Sequence, residues 1–567
     1  MENEPDTDCK EVSILFDSGA GTSVMSAELF PELKTSNGTE IHGIGGAQIS
    51  GKPVRCNISI SSTWKTVHEL KPMTIPGNKS LVILGRDFLR KFGNTEFDWK
   101  NARVKIGEDW IFMVSEDHQQ DVENLIDKCK IGQELSPDNV ATIKNMLKDF
   151  CKVFVKNSKA PKLCTTEVHR IFTEEESRIC KDKVRRLPMK WKGEIDKQID
   201  EMLQNDIISP SCSSYNSNPL LIEKKDNTFR FVIDYRNLNK STIPDSYPLP
   251  DVNEMIDSCR DAKFFTQIDL ASGYWCLAVH EDDRHKTSFS VPNGKYEFKR
   301  MPFGLKNSQA TFQRAIDKVI NNVHKTGYFC VQAYVDNIII FSETLEDHLL
   351  TLRAVLSELM QHNLSLRPDK CEFAQREIDF LGYHIGKGTI KPSEANIKKL
   401  SDFPTPKTKK QIERLLGIAN FNRRFIPGYA ELTKPLTSLL SDKITFAWGE
   451  QQQISFDKIK TILSAEPALG LPDWNKEFFI QTDASNIAVG GMLFQMDEKK
   501  QIVVLAYHSK TIAKSQKSWS ATEYEMYGIL VCYRKWRDYC NGKVTFITDH
   551  EPLKYIRNHR GSREKII

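Results

Sequence analysis

Several apolar, strand-forming runs in this chain each carry a single aspartate at or near one end. They are VSILFDSG at 12–19, FFTQIDL at 264–270, AYVDNIII at 333–340, FFIQTDAS at 478–485 and VTFITD at 544–549. A lone carboxylate in a strand pattern is usually a turn or edge residue, because burying an unpaired charge is costly. Repeated along one chain, the pattern restricts the fold to sheets that bring carboxylates together at strand ends. There they can share a proton or a hard cation.

The chain has 567 residues, which predicts about three to five domains. No apolar run approaches the roughly 20 residues needed to span a bilayer, so no membrane role is expected. The opening MENEPDTDCK is acidic and lacks an apolar core, so no secretory signal is expected. The 13 cysteines are scattered without any CxxC, which fits reduced thiols in a cytosolic or nuclear compartment. The net charge of +4 neither demands nor excludes nucleic acid.

Residues 1–115 are rich in short β-prone runs broken by glycine, and read as a small all-β domain. Residues 116–165 are polar and helix-prone, and read as a connector. From Trp191 the pattern turns helical, with Ile195, Ile199, Met202 and Leu203 on one face. Strand-like and helical runs then alternate to about residue 390 in an α/β manner. Residues 391–475 read as mostly helical, and residues 476–567 return to strand–helix alternation.

FDSGAGTS at 16–23 places an Asp-Ser-Gly loop after an apolar strand. Acid hydrolysis of a peptide can use two carboxylates that share one proton. Only one such loop is present, so the second carboxylate must come from another copy, on the axis of a C₂ homodimer. IHGIGGAQISG (41–51) suits a mobile hairpin flap, and LVILGRDFL (81–89) an apolar run beneath the loop. Together these resemble the retropepsins, the aspartic proteases of retroviruses and LTR retrotransposons. The resemblance implies that Asp17 is catalytic on a peptide substrate and that Ser18 and Gly19 hold the loop.

Asp269 ends one apolar strand, and Asp336 lies mid-way through another. Two carboxylates on adjacent strands suit Mg²⁺, and two such ions drive in-line nucleotidyl transfer. Around them, in order, stand SNPLLIEKKDNTFRFVIDYRNLN (217–239), IDLASGYW (268–275), KTSF (286–289), YEFKRMPFGLKNSQATFQR (296–314), YVDNIIIFSET (334–344) and FLGYHI (380–385). This set resembles the reverse transcriptase of gypsy-type (Metaviridae) LTR retrotransposons over roughly residues 165–475. The resemblance implies fingers and palm over 166–390, and thumb and connection over 391–475. It implies that Lys224 and Arg230 grip the incoming dNTP and that Tyr274 is the steric gate against a 2′-hydroxyl. Gly304 would let the backbone approach the template–nucleotide pair, and Leu381, Gly382 and Tyr383 match the primer grip. Lys409, Lys410, Arg414, Arg423 and Arg424 fit a thumb that tracks the duplex backbone.

One position departs from the family pattern Tyr-x-Asp-Asp: Asn337 stands where the second aspartate belongs. An amide offers a carbonyl oxygen but no charge, so weaker metal binding and impaired polymerisation are expected, without loss of fold.

Asp483, Glu525 and Asp549 come from two strands and a helix, and can converge on two Mg²⁺ for phosphodiester hydrolysis. Glu523 and Glu525 lie two apart on the helix and point away from each other, and Glu525 is preferred because it heads the apolar EMYGILV run. TDAS, the helical glutamate and TDHEPL resemble the RNase H domain that follows reverse transcriptase in this family. The stretch after Asp549, HEPLKYIRNHRGSREKII, holds no aspartate. An incomplete RNase H-like domain over 476–567 is therefore expected, with no integrase region after it.

The expected whole is a multidomain chain: an all-β retropepsin-like domain, an α/β reverse transcriptase, then an α/β RNase H-like domain. Its expected cofactors are Mg²⁺, or Mn²⁺, two at each nucleic-acid site. The resemblance implies an RNA template, a DNA primer, an RNA–DNA hybrid and dNTPs as partners, and a cytoplasmic virus-like particle or the nucleus as its location. Two other readings of the same residues stay open: a decayed, inactive copy that still folds and binds nucleic acid, and a domesticated protease-like dimer.

Overall fold

The computed structural model describes strands and a few single residues between 13 and 112, then residues 123–154, 161–174, 179–185, 188–223, 229–271, 273–516 and 518–553. The chain forms two compact units, Met1–Asp121 and Val122–Ile567.

In the first unit every described strand run belongs to a β-sheet. A five-stranded sheet runs in the order Ser13–Phe16, Leu81–Leu84, Val24–Ser26, Trp64–Met73, Val54–Ser61. Ser13–Phe16 lies parallel to Leu81–Leu84, pairing Phe16 with Leu84, and the Leu84 side chain is buried. The glycine-rich 41–51 stretch contributes a hairpin of Glu40–Gly43 with Gly46–Ile49, closed by the pair Gly43–Gly46. Asp17, Ser18 and Gly19 lie outside the described residues.

The second unit is organised on a five-stranded sheet in the order Lys130–Ile131, Glu372–Gln375, Phe264–Asp269, Asn337–Ser342, Val331–Tyr334. Its central strands read FFTQID and NIIIFS. Ile268, Ile338, Ile339 and Ile340 are fully buried, as expected of strands covered on both faces. Helices Ser308–Lys325 and Leu345–Gln361 cover one face, packing Phe312, Ile316, Val319, Leu352, Val355 and Leu359 with Ile268, Ile338 and Ile340. Phe265, Ile339 and Phe341 pack on the other face with Met255, Ile256, Ile378 and Phe380.

Residues 123–154, within the stretch expected to be a connector, instead join this body. Helix Pro137–Asp149 buries Ile143, Met146 and Leu147, with Ser136 as its N-cap. Lys130–Ile131 then adds a parallel edge strand to Glu372–Gln375. Its core positions are few and set among charges, which makes the segment read as polar linker.

A hairpin of Asn218–Glu223 with Phe229–Asp234 stands apart from the central sheet, as a fingers element would. Beyond the central sheet, Glu377–Phe380, Tyr383–Gly386, Thr389–Pro392 and Leu469–Gly470 form a four-stranded sheet backed by helices Lys409–Phe421, Tyr429–Ser438 and Glu450–Ser464. The last sheet runs Ile502–Thr511, Ala488–Met496, Phe478–Ala484, Val544–Ile547, with helix Ala521–Lys535 against it. Among the described residues, no helix is long and apolar enough to cross a membrane.

Candidate active sites

The central sheet seats two of the expected carboxylates side by side. Phe264–Asp269 runs antiparallel to Asn337–Ser342, and the last pair in register is Asp269 opposite Asn337. Asp336 lies at the hairpin turn that its flanking residues suit, between two strands rather than mid-way through one. Tyr334 pairs with Asn337, so Val335 and Asp336 form the turn of a tight hairpin. Val335 sits at φ +53°, a left-handed conformation that a β-branched residue adopts only when its surroundings hold it.

Those surroundings centre on Gln313, fully buried on helix Ser308–Lys325. Its Oε1 accepts from Val335 N at 2.7 Å, and its Nε2 donates to Ala333 O at 3.0 Å and Asp317 Oδ1 at 2.8 Å. Leu270 N donates to Asp336 O at 3.1 Å, which ties the turn to the neighbouring strand end. Asn337 Nδ2 donates to Asp336 Oδ1 at 3.2 Å. The sequence gives no sign of this role for Gln313, because a glutamine on an amphipathic helix looks like any other polar position.

Burial pushes the Asp269 carboxyl above its ordinary range, and the Asp336 charge pushes the same way. Arg367 and Lys370 oppose that shift: Arg367 Nε lies 3.1 Å from Asp269 Oδ1, and Lys370 Nζ 3.9 Å from Oδ2. Asp269 Oδ1 and Arg367 Nε are both buried, and neither makes a hydrogen bond. Their contact is therefore a charge pairing with poor alignment, not a directed bond. A buried carboxylate oxygen without a donor, beside a second carboxylate, is a donor set that fits a hard divalent cation.

Around this pair, Tyr274 packs on Phe303 at 5.2 Å and edge-on to Phe312 at 5.7 Å between ring centroids. Burial raises its hydroxyl pKa, and so does the nearby Asp336 charge. The Arg230 guanidinium lies over Phe303 at 5.8 Å. Arg230, Phe303, Tyr274 and the Asp336 turn thus line one side of the centre. Lys224 lies outside the described residues.

Gly304, at φ +96°, serves a contact within the chain: a Cβ there would meet Ile233 O at 3.3 Å. Its own carbonyl accepts from Asn239 at 2.8 Å. Leu381 (φ +47°) and Gly382 (φ +88°) form the turn of the Glu377–Gly386 hairpin. Tyr383 is turned inward, stacked on Phe421 at 5.0 Å and buried. Two of the basic residues assigned to the thumb face inward in part, since Lys409 donates to Ser441 O at 2.5 Å and Arg424 to Asn253 at 3.1 Å.

The second centre lies on the last sheet. Asp483 stands on strand Phe478–Ala484, Asp549 just beyond strand Val544–Ile547, and Glu525 in helix Ala521–Lys535. The two strands are parallel and adjacent. Gly491 lets the helix come close: a Cβ there would lie 2.6 Å from Cys532 Sγ and 2.8 Å from Gln481 O. Glu525 is buried, while Asp483 and Asp549 are exposed. Burial raises the Glu525 pKa, and the Asp549 and Asp483 charges add to the rise. Glu525 therefore feels the charge of both aspartates.

Glu523 serves a different purpose, closing a capping box with Ser520. A cavity of about 450 Å³ opens at this centre, lined by Glu525, Asp549, His550, Ser485, Asn486 and Tyr524. His550 Nε2 bonds Thr522 Oγ1 at 2.8 Å. Among the described residues, no three His, Cys, Asp or Glu side chains are gathered closely enough to hold one ion between them.

Three stretches match known families. Residues 6–95 match the retroviral aspartyl protease, 222–385 the reverse transcriptase (RNA-dependent DNA polymerase), and 448–547 the RNase H-like domain found in reverse transcriptase. The Pol polyprotein of the Drosophila melanogaster transposon opus is 38% identical over 397 residues, covering 67% of this chain and 39% of that protein. The chain belongs to the retrotransposon Pol polyproteins.

Other Pol polyproteins from the same organism are similar, those of transposon 297 (35% identical, 75% of this chain, 40% of that protein) and gypsy (34%, 66% and 37%). This Pol chain spans about two fifths of the length of these relatives. Among solved structures, a foamy viral protease–reverse transcriptase in complex with double-stranded DNA matches at a TM-score of 0.69. It is 19% identical, covering 98% of this chain and 93% of that one. A second, in complex with an RNA/DNA hybrid, matches at 0.67 with 19% identity, covering 97% and 70%. At that identity the match shows fold. Reverse transcriptase and RNase H domains generally depend on divalent metal ions, and the oxygen-only donors at both Pol centres suit such ions.

Proposed function

We propose that this Pol chain copies an RNA template into DNA from a DNA primer, using dNTPs, and degrades the RNA of the resulting hybrid. The observation that carries this reading is the register that seats Asp269 opposite Asn337, beside the Asp336 turn. Asp269 and Asp336 would hold Mg²⁺ or Mn²⁺, two ions in the polymerase centre. Asp483, Glu525 and Asp549 would take that role in the nuclease centre. Bound ions would neutralise phosphate charge and lower the pKa of the attacking oxygen.

The chain's own residues do the rest. Arg230, with Lys224, grips the triphosphate by charge-assisted hydrogen bonds. Tyr274, wedged between Phe303 and Phe312, presents a fixed ring that crowds a 2′-hydroxyl and favours dNTPs. Gln313 holds the Val335–Asp336 turn, so Asp336 meets the reacting groups without reorganising. In the protease, Asp17 from each of two copies forms the acid–base pair that cleaves a peptide, which makes the unit a homodimer. The setting that fits these substrates is a cytoplasmic particle.

A second reading, that the polymerase has lost most of its rate, is favoured by Asn337. Its amide brings no charge where the family carries a carboxylate. Primer extension on an RNA template tests both readings. Asn337→Asp is expected to raise the rate by about tenfold or more, and Asp269→Asn to abolish extension. An unchanged rate in Asn337→Asp removes the impairment reading, and extension that survives Asp269→Asn removes the site assignment.

A further inference from the structure

The loop Ser365–Lys370 places two cations on the carboxylate that the polymerase reading needs most. Its backbone is fixed at several points: Ala271 N donates to Ser365 O at 2.6 Å, Leu366 N to Val153 O at 2.7 Å, and Arg367 N to Asp269 O at 3.1 Å. Leu366 is fully buried, and Arg367 is held extended (φ −97°, ψ 107°) by the proline that follows it. The start of the Arg367 side chain is therefore aimed at the end of strand Phe264–Asp269.

Its Nε reaches within 3.1 Å of Asp269 Oδ1, and the side chain is 34% exposed, with open solvent on one side. Because neither Nε nor Oδ1 makes an aligned hydrogen bond, the pair is held by charge alone. An interaction of this kind gives way readily to a stronger cation. Arg367 and Lys370 pair with Asp269, which also feels the Asp336 charge, with an amide at 337. The exposed Asp369 adds one further negative charge within reach.

We infer that Arg367 competes with divalent cation for Asp269. It is a positioning residue that occupies the carboxylate in the ion-free chain and swings to solvent when an ion is held there. The inference rests on Asp269 being part of a metal centre, as proposed above. It makes the ion affinity of the site a property of two residues: Arg367, which lowers it by competition, and Asn337, which lowers it by missing charge.

The test is Mn²⁺ titration of the full chain, with free ion followed by electron paramagnetic resonance. Binding that disappears in Asp269→Asn defines the polymerase site and separates it from the nuclease centre. Arg367→Gln is expected to tighten that binding by about tenfold, the effect of one competing charge worth roughly one pKa unit. Arg367→Lys, which keeps a cation on the same backbone, is expected to stay within about twofold of the parent. It also shows that exchange at 367 preserves the fold.

If Arg367→Gln leaves Asp269-dependent binding unchanged or weaker, while Asn337→Asp tightens it, the competition is refuted and the metal-centre reading stands. Equal tightening by Arg367→Lys and Arg367→Gln also refutes it, because the cause is then not charge. If no variant shows Asp269-dependent binding, the metal-centre reading itself falls.

Discussion

Gln313 holds the turn of the proposed polymerase centre through backbone groups alone. The Val335–Asp336 turn is strained, because Val335 adopts φ +53°, and such a conformation costs on the order of 1–3 kcal/mol unless neighbours determine it. Gln313 determines it by satisfying Val335 N and Ala333 O together. Gln313→Leu keeps the volume and removes both partners, leaving a buried donor and a buried acceptor unsatisfied. A loss of about 1–3 kcal/mol in unfolding free energy is expected, with a fall in extension kcat larger than any rise in KM for dNTP. Chemical denaturation and single-nucleotide extension measure the two, and unchanged kcat would show that the turn holds itself. At this scale the acidic residues were legible from sequence, since a lone carboxylate in an apolar strand is conspicuous. Gln313 and Arg367 were not, because one looks like a solvated helix position and the other like a charged loop.

At the scale of elements, helix Leu345–Gln361 is stitched to the central sheet by one buried histidine. His348 bonds Thr266 Oγ1 at 2.7 Å and Ser342 Oγ at 2.9 Å, and Thr266 Oγ1 in turn accepts from Ala374 N at 2.9 Å. Two strands therefore meet one imidazole and a third joins through Thr266, and burial holds the imidazole neutral by pulling its pKa from 6.5 to about 4. The unfolded chain takes up this proton as pH falls through 6.5, while the folded chain resists until about 4. Stability from this group is therefore present above pH 6.5 and is lost progressively down to about pH 4. His348→Gln is expected to lower stability at pH 7, because it cannot bridge both hydroxyls as well, and to flatten the decline between pH 6.5 and 4.5. Thermal unfolding across that range reads both effects, and a slope identical to the parent would exclude His348 as a source. His169, bonded to Thr311 at 2.8 Å and also lowered to about 4, keeps part of the slope in the variant. Strand and helix identities were legible here because the apolar periods are long. The Asp336 turn was legible from the hairpin-suited residues around it, although apolar residues continue on both sides. Helix Pro137–Asp149 lies in a stretch that read as helix-prone, but its docking was hidden because its buried face amounts to three residues.

At the scale of the Val122–Ile567 unit, the nuclease sheet is fastened to the polymerase body by polar contacts between residues far apart in sequence. Arg424 donates to Asn253 Oδ1 at 3.1 Å and Leu505 O at 3.3 Å, Arg260 pairs with Asp473 at 2.7 Å, and Ala430 N donates to Ser509 Oγ at 2.8 Å. Near them the Tyr539 hydroxyl donates to the Asp257 carboxylate, which is buried. The order of domains was legible from motif order, but this docking was not, because no local pattern links positions 257, 424 and 539. Burial raises the Asp257 pKa, while Arg424 and the Tyr539 hydroxyl hold it down. Removing the hydroxyl leaves a buried carboxylate short of a donor, a loss of about 1.5–3 kcal/mol for a bond to a charged group. Tyr539→Phe keeps the ring that stacks on Trp474 at 5.5 Å, so packing is preserved and the polar junction alone is lost. The expected outcome is earlier unfolding of the nuclease sheet, read as faster hydrogen exchange in strands Phe478–Ala484 and Ala488–Met496. Exchange in Phe264–Asp269 should stay at the parent rate. Equal acceleration in both sheets would mean that the two unfold as one cooperative body and that Asp257–Tyr539 is not the fastening between them.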